Sequence, residues 1–439
     1  MIIGPKLYAC SVSEPRVCCL DLDTFFVSVE RLLDPSLNGK PVVVGASPGQ
    51  RGVVSACSYE VRARGVRSGM SIRDAVRLAP DAIYLPTRHG VYTPYAGRVR
   101  EVLLRHTPSV VTASIDEFYL DFTGCERVHH VDGDVDGDAT IERAVRRMCE
   151  RIRAEVGLPA SAGIGASRAI AKIASGVAKP AGVRMVRAGE ERGFLAPLPV
   201  RKLPGIGPVM EQQLISRNVT TLGDLVALTG PMRARFGGLA DQVAREMTGQ
   251  GGGAGSRDRP SFIEHDPDGA AGGSISNERT FAHDVGDGAA VEQQLLALVE
   301  RVCWRARSRG IRARTVTLKL RWADFTTITR ARTIPATHRD AEVWRCIDEL
   351  QRAARALRPQ ARIRLVGVQL SHLVVDQQLD LPLDAKARVQ VGTALDVVRD
   401  RYGFDAVRLG AADGPSRWIE GEPRPRASKR PPPSDRDDD

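Results

Sequence analysis

The sequence has no run of about eighteen apolar residues, the length a helix needs to cross a bilayer, so no membrane span is expected. Its opening segment, Met1 to Cys10, lacks the basic start and long apolar core of a secretory signal. The expected compartment is therefore the cytoplasm. None of the eight cysteines forms a Cys-x-x-Cys pair, which argues against zinc and for reduced thiols. Cys18, Cys19 and Cys57 lie in apolar stretches, where a thiol serves as a small buried hydrophobe. No internal repeat is evident.

What is present points to a soluble multidomain chain. A length of 439 residues is too great for one compact core and predicts two to four domains, and 42% hydrophobic residues is ordinary for a globular protein. The net charge of +10 and pI of about 9.4 suggest a polyanionic partner, most often nucleic acid. The distribution is sharper than the total. Between Arg301 and Arg332 stand ten Lys or Arg residues and one acid, Asp324.

Val17 to Asp21 is a short apolar run ending in acid and predicts a buried strand, followed by helical spacing from Thr24 to Leu33. Strands are expected over Lys40 to Gly45 and Gly52 to Ala56, then a basic helical segment from Tyr59 to Arg64. Ser109 to Phe122 predicts two strands, with Asp116 and Glu117 between or beside them. His129 to Asp138 is acidic and contains glycine, as a surface loop would. Ile141 to Glu155 predicts a helix burying Ile141, Ala144, Val145, Met148 and Ile152 on one face. Ser161 to Gly165 is a small-residue strand, and Ser167 suits the cap of a helix reaching Ala178. Strands alternating with helices indicate an α/β or α+β core.

Pro199 to Met247 is helical but interrupted at Gly205, Gly207 and Gly230. Gly249 to Gly273, rich in Gly, Pro and Asp, is expected to be a linker. A β-rich domain follows. In it Val316, Leu318, Leu320 and Trp322 alternate with Thr315, Thr317, Lys319 and Arg321, which predicts a half-buried strand with one basic face. Its expected partner runs from Phe325 to Arg332. The tail from Glu420 is rich in Pro, Arg and Asp and is expected to be disordered.

Two acidic clusters carry candidate chemistry: Asp21-Leu22-Asp23-Thr24-Phe25-Phe26 and Ser114-Ile115-Asp116-Glu117. A carboxylate at the end of a buried strand is costly unless a cation meets it. Hard oxygen ligands suit magnesium, and three carboxylates from two strands could hold two ions about 4 Å apart for in-line phosphoryl displacement. The spacing is equally met by acids that solvate strand ends. Adjacent Asp116 and Glu117 would also need a bend to converge, because strand neighbours face opposite ways. Tyr59 with Arg62, and Lys172 after Gly163-Ile164-Gly165, could grip a triphosphate. Singly, each is a solvated surface charge; only agreement with the acids favours the phosphate reading.

Four ordered blocks resemble Y-family DNA polymerases of the DinB-like, DNA polymerase IV type. They are Asp21-Leu22-Asp23-Thr24-Phe25-Phe26, Tyr59-Glu60-Val61-Arg62, Ser114-Ile115-Asp116-Glu117 and Ala171-Lys172-Ile173-Ala174, within residues 16 to 185. Looser resemblance runs on to about Gly410. The resemblance implies an α+β multidomain chain with a right-hand polymerase architecture. An α/β palm would span residues 1–33 and 85–180, with small fingers at 34–84. A helical thumb with a helix-hairpin-helix would span 181–248 and a linker 249–273. A β-rich little finger with a clamp-binding segment would span 274–412, and a disordered tail 413–439.

The implied activity is error-prone, template-directed synthesis across damaged DNA, from deoxynucleoside triphosphates on primer-template DNA, by a monomer. Asp21, Asp116 and Glu117 would be catalytic and would hold two Mg2+ ions, with the carbonyl of Leu22. Phe25, Phe26, Ser55, Tyr59, Arg62 and Lys172 would line the nucleotide. Phe26 would be the steric gate, although taken alone it reads as a core aromatic. The role of Asp23 is left open. Two departures stand out: Phe118 replaces the small residue usual after the acidic pair, and His129 to Asp138 looks inserted.

Leu203-Pro204-Gly205-Ile206-Gly207 resembles the family's hairpin, with Gly205 and Gly207 letting backbone N–H groups approach DNA phosphate. A plain turn between helices is the alternative. Lys319, Arg321, Arg330 and Arg332 would hold DNA backbone in the little finger. Gln378-Leu379-Asp380-Leu381-Pro382-Leu383 resembles a bacterial sliding-clamp peptide, anchored by Gln378 with Leu379, Leu381 and Leu383 in apolar pockets. An ordinary strand of alternating leucines is the other reading, and folded-looking chain follows at Arg388 to Arg408. Two other functions remain open: a silent DNA- and clamp-binding adaptor, and a magnesium-dependent nuclease or phosphatase.

Overall fold

The run Val17–Leu22 forms strand β1, buried along its length except at Asp21. The computed structural model describes residues 15–250, 273–375, 394–399, 401–402 and 404–407. The clamp-type peptide Gln378 to Leu383, most of the expected linker and the tail lie outside the described residues. The chain divides into two compact units, one built mainly before His265 and one mainly after it. No described helix is long and apolar enough to cross a membrane.

In the first unit, β1 leads into helix α1 (Phe25–Leu33). Next come β2 (Val42–Gly45), β3 (Val54–Cys57), the short helix α2 (Tyr59–Arg62), α3 (Ile72–Leu78) and β4 (Ile83–Pro86). These strands make a three-stranded sheet, β3-β2-β4, closed by Val43, Val54, Cys57, Val61 and Ile72. Helix α4 (His89–Leu103) leads to β5 (Val110–Thr112) and β6 (Glu117–Asp121). Helices α5 (Glu126–His129) and α6 (Gly137–Val156) precede β7 (Ala160–Gly165), α7 (Arg168–Ala178) and β8 (Val183–Met185). The main sheet has the order β5-β6-β1-β7-β8, so the acid-bearing β1 is its centre.

Local chemistry accounts for these elements. Helix α6 buries Ile141, Ala144, Val145, Met148 and Ile152, the face the 3.6-residue period predicts. The Ser167 hydroxyl accepts the Ile170 N–H at 3.1 Å and caps α7 as expected. The segment His129 to Asp138 is not wholly a loop. His129 closes α5 and Gly137 opens α6, because Asp136 accepts the Ala139 N–H at 2.7 Å as an N-cap. Its acids are also partnered: Asp134 accepts from Thr140 at 2.9 Å and pairs with Arg143. All seven described cysteines are free thiols, with Cys18, Cys19 and Cys57 buried.

After β8 the chain is helical: α8 (Glu191–Leu195), α9 (Pro208–Ile215), α10 (Leu222–Val226) and α11 (Gly230–Met247). They share a core of Leu195, Val200, Leu214, Leu225, Phe236 and Val243 that also takes in Ile170 and Ile173 of α7.

The second unit is a four-stranded antiparallel sheet. Its strands are β9 (Ile275–Val285), β10 (Ile311–Trp322), β11 (Thr327–Thr337) and β12 (Ile363–Val375), in the order β11-β10-β12-β9. Helices α12 (Gly288–Arg307) and α13 (Asp340–Ala356) pack on one face, over Val316, Leu318, Leu320 and Trp322. The partner strand of β10 begins two residues later than expected. Phe325 lies in the connecting turn with φ +66°. Residues 394–399 form a helix whose Arg399 makes a fully buried pair with Glu300 of α12, at 2.9 Å.

The small residues of β7 let α7 approach. A Cβ on Gly163 would stand 2.1 Å from Ser175 N and 2.2 Å from Ala171 O, both backbone atoms of α7. Gly163→Ala should therefore cost about 3 kcal/mol, at the upper end of overpacking. Gly176, on the same helix with open space around it, should gain about 0.5 kcal/mol as Ala. Urea unfolding of the two variants checks the opposite signs; equal effects would refute this packing.

Candidate active site and nucleic-acid face

Three strands bring the acids together. β1 runs antiparallel to β6 and β7, with Asp21 directly opposite Glu117 on one side and Ser161 on the other. Residues directly opposite in a ladder share a face, so Asp21 and Glu117 stand side by side. Residues 114–116 bend before β6 begins, which releases Asp116 from strand alternation. The Asp116 carbonyl accepts the Leu22 N–H at 2.9 Å, fixing it beside the end of β1. Its carboxylate accepts the Ser114 hydroxyl at 2.5 Å. Phe118 is buried opposite Leu20 and, by alternation, faces away from Glu117.

Burial raises the Asp21 pKa above the usual carboxylate range; Lys179 pulls it back, while the charges of Asp116 and Glu117 add to the rise. Two lysines meet the acids. Lys179 Nζ lies 2.5 Å from Asp21 Oδ1, and Lys172 pairs with Glu117. Burial draws the Lys172 pKa down, but its contact with Glu117 outweighs this and holds it above the ordinary lysine value.

Among the described residues no three acidic, histidine or cysteine side chains are already closed into a metal cage. The donor set nonetheless fits a hard divalent cation. Its ligands are carboxylate oxygens, two of the carboxylates already hold a cationic ammonium, and the charges of Asp116 and Glu117 act on Asp21.

Lys179 was missed by the sequence reading. It follows α7 and precedes Pro180, where a basic residue reads as an ordinary solvated helix end. Only the return of that loop to β1 reveals it.

Asp23 belongs to a different set of contacts. It is 1% exposed and accepts three hydrogen bonds: from the Tyr59 hydroxyl at 3.1 Å, the Ser161 hydroxyl at 2.8 Å and the Ala181 N–H at 2.7 Å. Those donors sit on α2, β7 and the loop that carries Lys179. Asp23 is thus a positioning residue that joins the small sheet's helix to the main sheet. Tyr59 is correspondingly held as a neutral phenol, its pKa raised by burial and by the Asp23 charge.

The other expected nucleotide residues cluster nearby. Arg62 lies against the Tyr59 ring, 5.9 Å from its centroid, and donates to the Cys57 carbonyl at 3.1 Å. The Ser55 and Thr87 hydroxyls are 2.9 Å apart. Phe26 is 9% exposed and stacks on Tyr92 with ring centroids 4.2 Å apart; Phe25 packs beside it at 5.5 Å. Tyr92 is itself held, donating to Glu30 at 2.6 Å. The Phe26 ring therefore has one fixed orientation at the start of α1.

Gly205 adopts φ +97° in the turn before α9, a conformation L side chains rarely take. Gly207 is the N-cap of α9, so the exposed start of that helix presents free N–H groups. The four basic residues expected on the sheet of the second unit do not share a face. Lys319 and Arg321 stand opposite Thr329 and Thr327 on the side away from the helices. Arg330 and Arg332 stand opposite Leu318 and Val316, on the helix side, where Arg332 pairs with Glu349 of α13. Register parity, invisible when each strand is read alone, makes that division.

The chain matches family models described as the impB/mucB/samB family over residues 20–176, its C-terminal domain over 273–383 and the IMS family HHH motif over 189–219. It is 38% identical over 404 residues to DNA polymerase IV of Dehalococcoides mccartyi (strain CBDB1), covering 91% of this chain and 98% of that one. It is 34% identical over 398 residues to DNA polymerase IV of Caulobacter vibrioides, covering 90% and 93%. Among solved structures, a Y-family DNA polymerase chimera of Dbh and Dpo4 aligns with a TM-score of 0.68 at 23% identity, covering 82% of this chain and 99% of that one. DinB from Sulfolobus solfataricus aligns at 0.54 and 24%, with the same coverage. These two show likeness of fold.

The buried and the exposed acids should respond differently to truncation. Asp23→Ala leaves three donors without an acceptor and should cost about 3 kcal/mol. Asp116→Ala, at a partly exposed bend, should change stability by only about 0.5 kcal/mol. Equal losses in urea unfolding would contradict the separation of the two carboxylates.

Proposed function

This chain belongs to the impB/mucB/samB family, the Y-family DNA polymerases of the DinB-like type, and on that premise we propose how its site performs template-directed, lesion-tolerant DNA synthesis. The observation that carries the reading is the convergence of Asp21, Asp116 and Glu117 at the ends of β1 and β6, with the ammoniums of Lys172 and Lys179 on two of them. A nuclease or phosphatase site explains the acids but not the family membership. An adaptor without activity would not need them.

Asp21, Asp116 and Glu117, with the Leu22 carbonyl, would hold divalent metal, which we assign as two Mg2+ ions. When bound, such ions lower the pKa of the primer 3′-hydroxyl and neutralise charge on the phosphates. The protein's own groups do the rest. Lys172 and Lys179, released from the carboxylates, turn to phosphate oxygens of the incoming deoxynucleoside triphosphate. Tyr59, held by Asp23, and Arg62 close on the same triphosphate, with Ser55 and Phe25 beside it. Phe26, locked against Tyr92, meets the sugar edge and acts as the steric gate against a ribose 2′-hydroxyl. Attack on the α-phosphate then forms the new phosphodiester and releases pyrophosphate.

The domain assignment follows the same reading. Residues 1–33 and 85–180 are the palm, 34–84 the fingers, 181–248 the thumb and 274–412 the little finger, joined by 249–273 and followed by a tail from 413. Gly205 and Gly207 bring thumb backbone to DNA phosphate, and Lys319 and Arg321 serve the same role on the open face of the sheet. Gln378, Leu379, Leu381 and Leu383 form a sliding-clamp peptide. The working form is a cytoplasmic monomer.

Primer extension on a labelled template with Mg2+ and four deoxynucleotides tests the reading. Wild type should extend, and Asp116→Ala/Glu117→Ala should fall by about a thousandfold or more while still binding DNA. A folded wild type that binds primer-template but never extends it, with Mg2+ or Mn2+, would leave the adaptor in its place. Phe26→Ala should raise ribonucleotide insertion relative to deoxynucleotide by about a hundredfold. An unchanged ratio would remove Phe26 from the gate.

A further inference from the structure

The open face of the second unit's sheet carries an acid among its bases. One cross-strand row holds Glu278 on β9, Gly367 on β12, Lys319 on β10 and Thr329 on β11. Glu278 and Lys319 are thus two strands apart. They nevertheless meet: Lys319 Nζ lies 2.8 Å from Oε1 and 2.9 Å from Oε2 of Glu278. The Glu278 side chain reaches Lys319 by lying across Gly367. A Cβ at residue 367 would stand 2.8 Å from Glu278 Cγ and 3.4 Å from Cδ.

Stability does not account for this arrangement. The side chains of Lys319 and Glu278 are 31% and 39% exposed, and ion pairs in that setting add little to folding. Glycine in an internal strand weakens it and commonly marks a close approach. The pair does matter for a polyanion. A phosphate oxygen seeking Lys319 finds its ammonium already engaged by a carboxylate, a group of the same charge and similar geometry. Arg321, in the next row, is held among the described residues only by the Thr327 hydroxyl at 2.8 Å and is open to phosphate.

We propose that Glu278 is a built-in competitor for the nucleic-acid phosphate at Lys319, reaching it across Gly367, so that binding of DNA backbone to this face requires an exchange of carboxylate for phosphate. The exchange weakens grip on DNA and makes release easier. It rests on the polymerase reading only in taking this face as a DNA face.

The test is fluorescence anisotropy of primer-template DNA against salt, with primer extension measured on the same preparations. Glu278→Gln should tighten binding about fivefold near 0.1 M salt, and the slope of log affinity against log salt should steepen by about 0.9, because no freed carboxylate then takes up a cation to offset the counterion that the Lys319–phosphate contact releases. Lys319→Gln placed in the Glu278→Gln background should cancel both changes. A gain that survives Lys319→Gln would reduce the effect to net charge and overturn the proposal. So would a Glu278→Gln variant, folded by thermal melting, with unchanged affinity and slope while wild type binds and extends normally. If wild type neither binds nor extends DNA, the polymerase reading fails and takes this inference with it.

Discussion

The constraint on which the first unit depends is the placing of three carboxylates at the end of a buried central strand. Charges of one sign in a half-dry environment raise one another's cost, and burial already pushes Asp21 toward its neutral form. The fold answers with cations. Helix α7 and the loop after it bring Lys172 and Lys179 onto the acids, and the small residues of β7 allow α7 to come close enough. The same attraction that relieves the acids is what the proposed function draws on for metal and phosphate.

Asp23 shows how position separates chemically identical groups. It lies two residues from Asp21 in sequence, yet it is buried and saturated by three donors, whereas Asp21 is shared with a lysine. One carboxylate holds structure and the other is available for chemistry. Because Asp23 grips Tyr59 and the Ala181 N–H, the small sheet's helix and the lysine loop are tied to the main sheet through one side chain. The orientation of Tyr59, an expected nucleotide contact, depends on it.

In the second unit the same physics appears at the surface. Basic residues face outward on one side of the sheet, and one of them is met by an acid that crosses a glycine. Parity of register decides which side chains reach that face. It sends Lys319 and Arg321 outward and turns Arg330 and Arg332 toward the helices.

Much of this was legible in sequence. The buried run from Val17, the α6 face from Ile141 to Ile152, the Ser167 cap and the alternation from Val316 to Trp322 depend on local periodicity and local hydrogen bonds, which a chain carries in its order. The four motif blocks likewise pointed to the acids and to the family. Tertiary structure alone decided what requires distant segments to meet. It placed the bend that frees Asp116 beside Glu117, and it returned Lys179 to Asp21 across 158 residues. It also made Asp23 a buried clamp, and it joined Glu278 to Lys319 over Gly367. Such contacts arise from register and packing between strands far apart in the chain, and no local pattern encodes a distance of that kind.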